Sequence, residues 1–168
     1  MFKHIIAISA LAISIPCLAA DLTAMPQKKL SEVYGSFSAT QNTLGTVASG
    51  SVEANFPLGH YFFLGPEVSY STVRPKGGDR TDATSVGGVF GLNFDEGHIG
   101  PYVQVGALAL TSDFSGWTLM PEAGIKIGTD NVAIRIGLAH PFSYNTNVGG
   151  QPTDLEGTIA KVGIGFRF

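Results

Sequence analysis

The strongest constraint on this chain is an alternation of period two, repeated in segments of about ten residues, because a strand puts successive side chains on opposite faces. The segments are Val33–Gln41, Thr46–Phe56, Tyr61–Val73, Thr84–Phe94, Pro101–Thr111, Thr118–Gly128, Val132–Tyr144 and Gly157–Phe168, with turn-forming residues between them. In the seventh, Val132, Ile134, Ile136, Leu138 and Phe142 share one face while Ala133, Arg135, Gly137 and Ala139 take the other. In the eighth, Ala160, Val162, Ile164, Phe166 and Phe168 oppose Lys161, Gly163, Gly165 and Arg167. The second agrees, with Ala48, Gly50, Val52, Ala54 and Phe56 against Ser49, Ser51, Glu53 and Asn55.

Charge decides which face is inside. With the apolar face outward, Glu53, Glu67, Glu122, Lys126, Arg135, Lys161 and Arg167 all fall on the opposite face, and His140 is the main polar residue mid-strand on the apolar one. A water-soluble barrel such as a lipocalin would have to bury its apolar stripe, or else hide seven charges under a surface of valine, isoleucine and phenylalanine. A membrane barrel faces lipid with the stripe and pairs the charges in its lumen. The expected fold is therefore all-β, an eight-stranded antiparallel up-and-down transmembrane β-barrel. The acidic residues of strands two and three lie within side-chain reach of the basic residues of strands six to eight across so narrow a lumen, so an interior ion network is expected. Lys126 and Arg167, near one rim, are open to a second reading in which they are simply solvated.

The first twenty residues read as a secretory signal, with Lys3, an apolar core from Ile5 to Ile15, and Leu18-Ala19-Ala20 before Asp21. The expected organisation is a cleavable signal peptide at 1–20, a periplasmic N-terminal leader at 21–32 and the barrel at 33–168. Cys17 is the chain's one cysteine and would leave with the signal, so no disulfide is expected. After the signal, no apolar run approaches the ~20 residues of a membrane-spanning helix. Only 14% of the 168 residues are charged and the net charge is −3, which offers no basic field for nucleic acid.

Connection lengths alternate. Leu58–His60, Asp95–Gly100 and Thr129–Asn131 are short, while Arg74–Ala83 and Asn145–Glu156 are long and polar, and Asn42–Gly45 and Ser112–Trp117 are intermediate. A periplasmic N-terminus places every short turn on the periplasmic side and the longer loops outside the cell. Aromatic residues then fall at both expected interfaces, Phe56, Phe62, Phe94, Phe166 and Phe168 at one and Tyr70, Trp117, Phe142 and Tyr144 at the other.

The final run Lys161-Val162-Gly163-Ile164-Gly165-Phe166-Arg167-Phe168 resembles the C-terminal insertion signal of outer-membrane barrels, with Lys161, Gly163, Phe166 and Phe168 as the matching positions. Gly100-Pro101-Tyr102-Val103-Gln104-Val105-Gly106-Ala107 resembles the proline-tyrosine strand start of small opacity-type barrels, with Gln104 where glycine is more usual. The chain is thus similar to the superfamily of the OmpA transmembrane domain, OmpX-like and opacity-type porin-like barrels. That resemblance implies residence in a Gram-negative outer membrane among lipid and lipopolysaccharide. It also implies delivery by periplasmic chaperones to the barrel-assembly machinery, which would read the last strand as an unpaired edge.

Sequence support for chemistry is thin. Outer-membrane lipid A deacylases carry a serine two residues after a histidine; here Ser143 follows His140 by three, which puts the hydroxyl on the other face. Asp79, Asp82, Asp113, Asp154 and Glu156 occupy expected loops without a histidine among them, so the protease pattern fails too. His60, His98 and His140 are far apart, and Gly77-Gly78 lacks the residues of a phosphate loop, so no metal and no cofactor is expected. The expected role is non-enzymatic, either structural or as a surface protein for envelope integrity, adhesion or host contact. Interaction would run through Arg74, Lys76, Asp79, Arg80, Asp82, Asn145, Asn147, Asp154 and Glu156 toward an extracellular receptor or matrix. A narrow porin-like channel gated by the ion network is the alternative, and a lipid-modifying enzyme is the third reading.

Overall fold

Residues with alternating faces must pair laterally to satisfy their backbones, and in this chain the pairing closes on itself. The computed structural model describes residues 31–42, 45–75, 80–94, 98–112, 114–148, 151–152 and 157–168. The strands are β1 (Glu32–Asn42), β2 (Gly45–Leu58), β3 (Phe62–Pro75), β4 (Thr81–Asn93), β5 (Ile99–Ser112), β6 (Phe114–Gly128), β7 (Val132–Ala139), β8 (Phe142–Val148), β9 (Gln151–Pro152) and β10 (Ile159–Arg167). Each of β1 to β6 pairs antiparallel with the next, β7 pairs β10, and β10 returns to β1. The result is a closed barrel of eight staves. At the seam Ser31 and Phe168 exchange backbone hydrogen bonds of 3.1 and 3.0 Å.

The seventh stave is β7 continued by β8, since both lie along β6. It is interrupted at His140-Pro141, where proline has no N–H to offer the ladder. His140 still donates its backbone N–H to the Pro121 carbonyl, and its ring meets Phe142 edge-on at 4.9 Å. Beyond the break β8 pairs with β9 in a short hairpin rather than with β10. Asn145 and Asn147, expected in a loop, have their backbones in β8 because this hairpin carries the sheet past the barrel. The β5–β6 hairpin is likewise longer than its alternation indicates, staying paired to Leu110↔Gly116. There Gly116, with φ of 125°, supplies the backbone turn that shifts β6 in register against β8.

Side chains separate cleanly by face. Phe37, Val52, Leu138, Val162 and Phe166 point outward and are half-exposed or more, whereas Tyr34, Glu53, Glu67, Tyr102 and Arg135 point inward and are buried. A charged layer in the core beneath an exposed apolar skin is the inverse of a water-soluble protein. Hydrocarbon is the solvent that suits such a skin.

Candidate functional site

Lumen-facing charges gather in the half of the barrel nearer the short turns. The second, third, first and sixth staves bring in Glu53, Glu67, Glu32 and Glu122; the sixth, seventh and eighth bring in Lys126, Arg135, Lys161 and Arg167. These four carboxylates and four cations sum to zero charge. Neutrality is what allows the layer to exist, because each desolvated ion costs several kcal/mol unless an opposite charge and further hydrogen bonds offset it.

Arg135 is the hub. Its Nη1 donates to Glu53 at 2.6 Å and to Gln104 at 3.2 Å, and its Nη2 lies 3.6 Å from Glu32. The guanidinium plane is also packed against aromatic rings, its carbon 3.8 Å from the ring centre of Tyr34 and 4.9 Å from that of Tyr102. Glu53 accepts from Asn55 at 2.6 Å and from Gln104 at 3.2 Å. Lys161 bridges Glu122 at 3.2 Å and Glu67 at 3.3 Å, with Glu53 at 3.8 Å. Tyr102 donates to Glu122 at 2.5 Å. Nearer the turn rim, Glu32 receives Arg167 at 2.8 Å, Lys126 at 2.9 Å and the Tyr34 hydroxyl at 3.1 Å.

All seven charged residues picked out by alternation therefore face the lumen, and every one of them takes part in an ion pair. Lys126 is buried rather than solvated, and Arg167 is largely so. Sequence reading missed Glu32, Tyr34, Asn55, Tyr102 and Gln104. Glu32 stands two residues before Tyr34 on the inward face of β1, so extending the alternation by one residue would have found it.

Small inward residues make room for the rings. A side chain at Gly165 would run into the ring of Tyr34, which is fully buried and has nowhere to go. Gly165→Val is expected to cost about 1–3 kcal/mol through this overpacking. Gly35, on the outward face of β1, has nothing near a prospective Cβ, and Gly35→Val should stay within about 0.5 kcal/mol of wild type or stabilise. Urea titration of the folded protein in lipid vesicles reads both.

The insertion-signal residues divide by face. Lys161 belongs to the ion layer and Gly163 lies over the Ser36 hydroxyl, whereas Phe166 and Phe168 project outward. At the long-loop rim, Arg80 donates to Asp82 at 2.9 Å and to Thr72 at 3.0 Å, and its guanidinium holds the exposed Asp82 carboxyl below the usual carboxylate range. Arg74 is exposed at the end of β3. Lys76, Asp79, Asp154 and Glu156 lie outside the described residues, as do the side chains of Asn145 and Asn147. Among the described residues no group of three His, Cys, Asp or Glu could hold a metal ion.

No protein-family model and no curated protein matches the sequence. Solved structures do match. A barrel from the de novo design of transmembrane β-barrels superposes with a TM-score of 0.58 at 17% identity, covering 86% of this chain and 100% of the design. The N-terminal β-barrel domain of Pseudomonas aeruginosa OprF gives 0.56 at 18% identity, covering 84% of this chain and 98% of that one. The chain has the fold of a small transmembrane β-barrel. The Yersinia pestis outer membrane protein Ail, determined in a phospholipid bilayer nanodisc, gives 0.53 at 13% identity over 84% of this chain and 100% of Ail. At these identities the likeness is one of fold.

Proposed function

We propose that this barrel resides in the bacterial outer membrane as a non-enzymatic surface protein, presenting its long-loop end to the outside. The observation that carries this reading is the ion layer. It fills the turn half of the lumen with buried, mutually paired side chains, which leaves the loops as the surface free to meet a partner. The fold shared with OprF's barrel domain and with Ail, an outer membrane protein, supports the location. Replacing 74–83 and 145–156 by short turns is expected to preserve the folded, heat-modifiable band on gels. The same change should abolish adhesion of expressing cells to immobilised extracellular-matrix protein; adhesion that survives rejects the loop reading. Planar-bilayer conductance is expected to stay at baseline in wild type and in Arg135→Ala, and stepwise openings in either would favour the channel instead.

A further inference from the structure

The contacts inside the ion layer are unevenly shared. Glu32 draws on Lys126, Arg167 and Arg135. Among the described residues, Glu53, Glu67 and Glu122 divide Arg135 and Lys161 between them, three carboxylates to two cations. Glu53 and Glu122 have further donors, Asn55 and Gln104 for the first and Tyr102 and Gln104 for the second. Glu67 has none. Its Oε1 meets the shared Lys161 at 3.3 Å, and its Oε2 has no hydrogen-bond partner although the residue is only 1% exposed. A buried carboxylate oxygen left unpaired costs free energy, and such an exception in a folded protein calls for a cause.

Glu67 also stands where the layer ends. Toward the long loops, it and Lys161 line a cavity of about 120 Å³, room for an ion with part of its hydration shell. The register sets hydroxyls above the carboxylate. Glu67 lies across from Glu53 on β2 and Gly87 on β4, and the next inward residues toward the loops on β2, β3 and β4 are Ser51, Ser69 and Ser85. That step is roughly 7 Å of strand, and all three serines line the cavity. Ser69 and Ser85 meet at 2.6 Å, and a hydroxyl so engaged still has lone pairs to offer. Beside Oε2, Gly106 on β5 keeps the space clear: a Cβ there would lie 3.6 Å from that oxygen and 3.6 Å from Val89 Cγ1.

We infer that Glu67 and the hydroxyls above it bind a small monovalent cation at the floor of this cavity. One positive charge balances the three carboxylates and two cations gathered there. A proton on Oε2 would turn that oxygen into a donor, and the atom has no partner to receive it. An ion coordinates several oxygens at once and bridges a wider gap. A divalent ion would leave the group positive and takes more carboxylates than one; among the described residues no three His, Cys, Asp or Glu are placed to hold it. An alkali ion and the ammonium end of a small amine both meet these conditions, since each carries one charge and seeks oxygen acceptors.

Ion titration of the folded protein in phosphatidylcholine nanodiscs tests this. The carboxyl carbons of labelled glutamate and the methyls of Val89, Leu108 and Met120 would be followed by NMR, with tetramethylammonium chloride holding ionic strength constant. Saturable shifts at Glu67 and these methyls are expected with sodium, potassium or methylammonium, and the ion that saturates tells the alkali source from the amine. Glu67→Gln should weaken that binding about tenfold, the loss of one charged contact. Gly106→Ala places a methyl in ordinary contact beside Oε2 and should weaken it as well, which keeps a comparison where Glu67→Gln does not fold. Wild type that shows no saturable shift with any of the three ions overturns the inference. Shifts reproduced by tetramethylammonium, or binding unchanged in the folded variants, also overturn it. A Glu67 carboxyl carbon at the position of a neutral acid, at neutral pH in excess sodium, would put a proton in the ion's place and overturn it too.

Discussion

Arg135→Met is expected to destabilise the folded barrel by about 3–5 kcal/mol, because removing one partner of a buried pair leaves the other charge uncompensated. Glu53, which is 1% exposed, loses its 2.6 Å contact and keeps Lys161 at 3.8 Å, while Glu32 loses one of its three cations. Methionine keeps much of the volume between Tyr34 and Tyr102, so a cavity contributes little and the loss is chiefly electrostatic. Urea titration in vesicles, with the folded fraction read from unboiled gels, gives the difference. In Arg135→Met/Glu53→Gln the carboxylate is neutral, and the combined cost should fall short of the sum of the single variants by about 0.5–3 kcal/mol. A single-variant cost within about 0.5 kcal/mol would show that the layer is not held by its ions.

One residue further along β7 the expectation changes in kind. Ile136 points outward and is 53% exposed, so in water Ile136→Lys would be tolerated within about 0.5 kcal/mol. In a bilayer a lysine near mid-depth on the lipid face costs about 2–4 kcal/mol. The same titration should give the larger figure, and a lysine at Val132, nearer the turn rim of that stave, should cost less. A neutral result at Ile136 would contradict a lipid-facing skin.

Which parts of this molecule can be read from sequence follows from what fixes each part. Within the membrane band, a shift of one residue would send Arg135 or Lys161 into lipid, so alternation identifies both the strands and the inward charges. Their partners are another matter. Arg135 meets Glu53 across 82 residues and Lys161 meets Glu67 across 94, and those distances depend on stagger and tilt, which alternation does not encode. Glu32 falls at a boundary: directly before the alternating segment that starts at Val33, it reads as leader. Past the band neither face is penalised, and turn chemistry sets how far hairpins extend, so the β5–β6 extension and the β8–β9 hairpin escape a pattern-based reading. Pro141 is visible in the sequence, but its effect depends on β10 being the neighbour that loses a donor.

The seam between β1 and β10 also sets the timing of assembly. Glu32 pairs with Arg167 across 135 residues of chain, so the first strand cannot complete its pairing until the last has been made. Every shorter nascent fragment has two open edges, each able to add a strand from a neighbouring molecule. A chain that closes this way completes its barrel only once β10 has been made, and its first stave waits for its last.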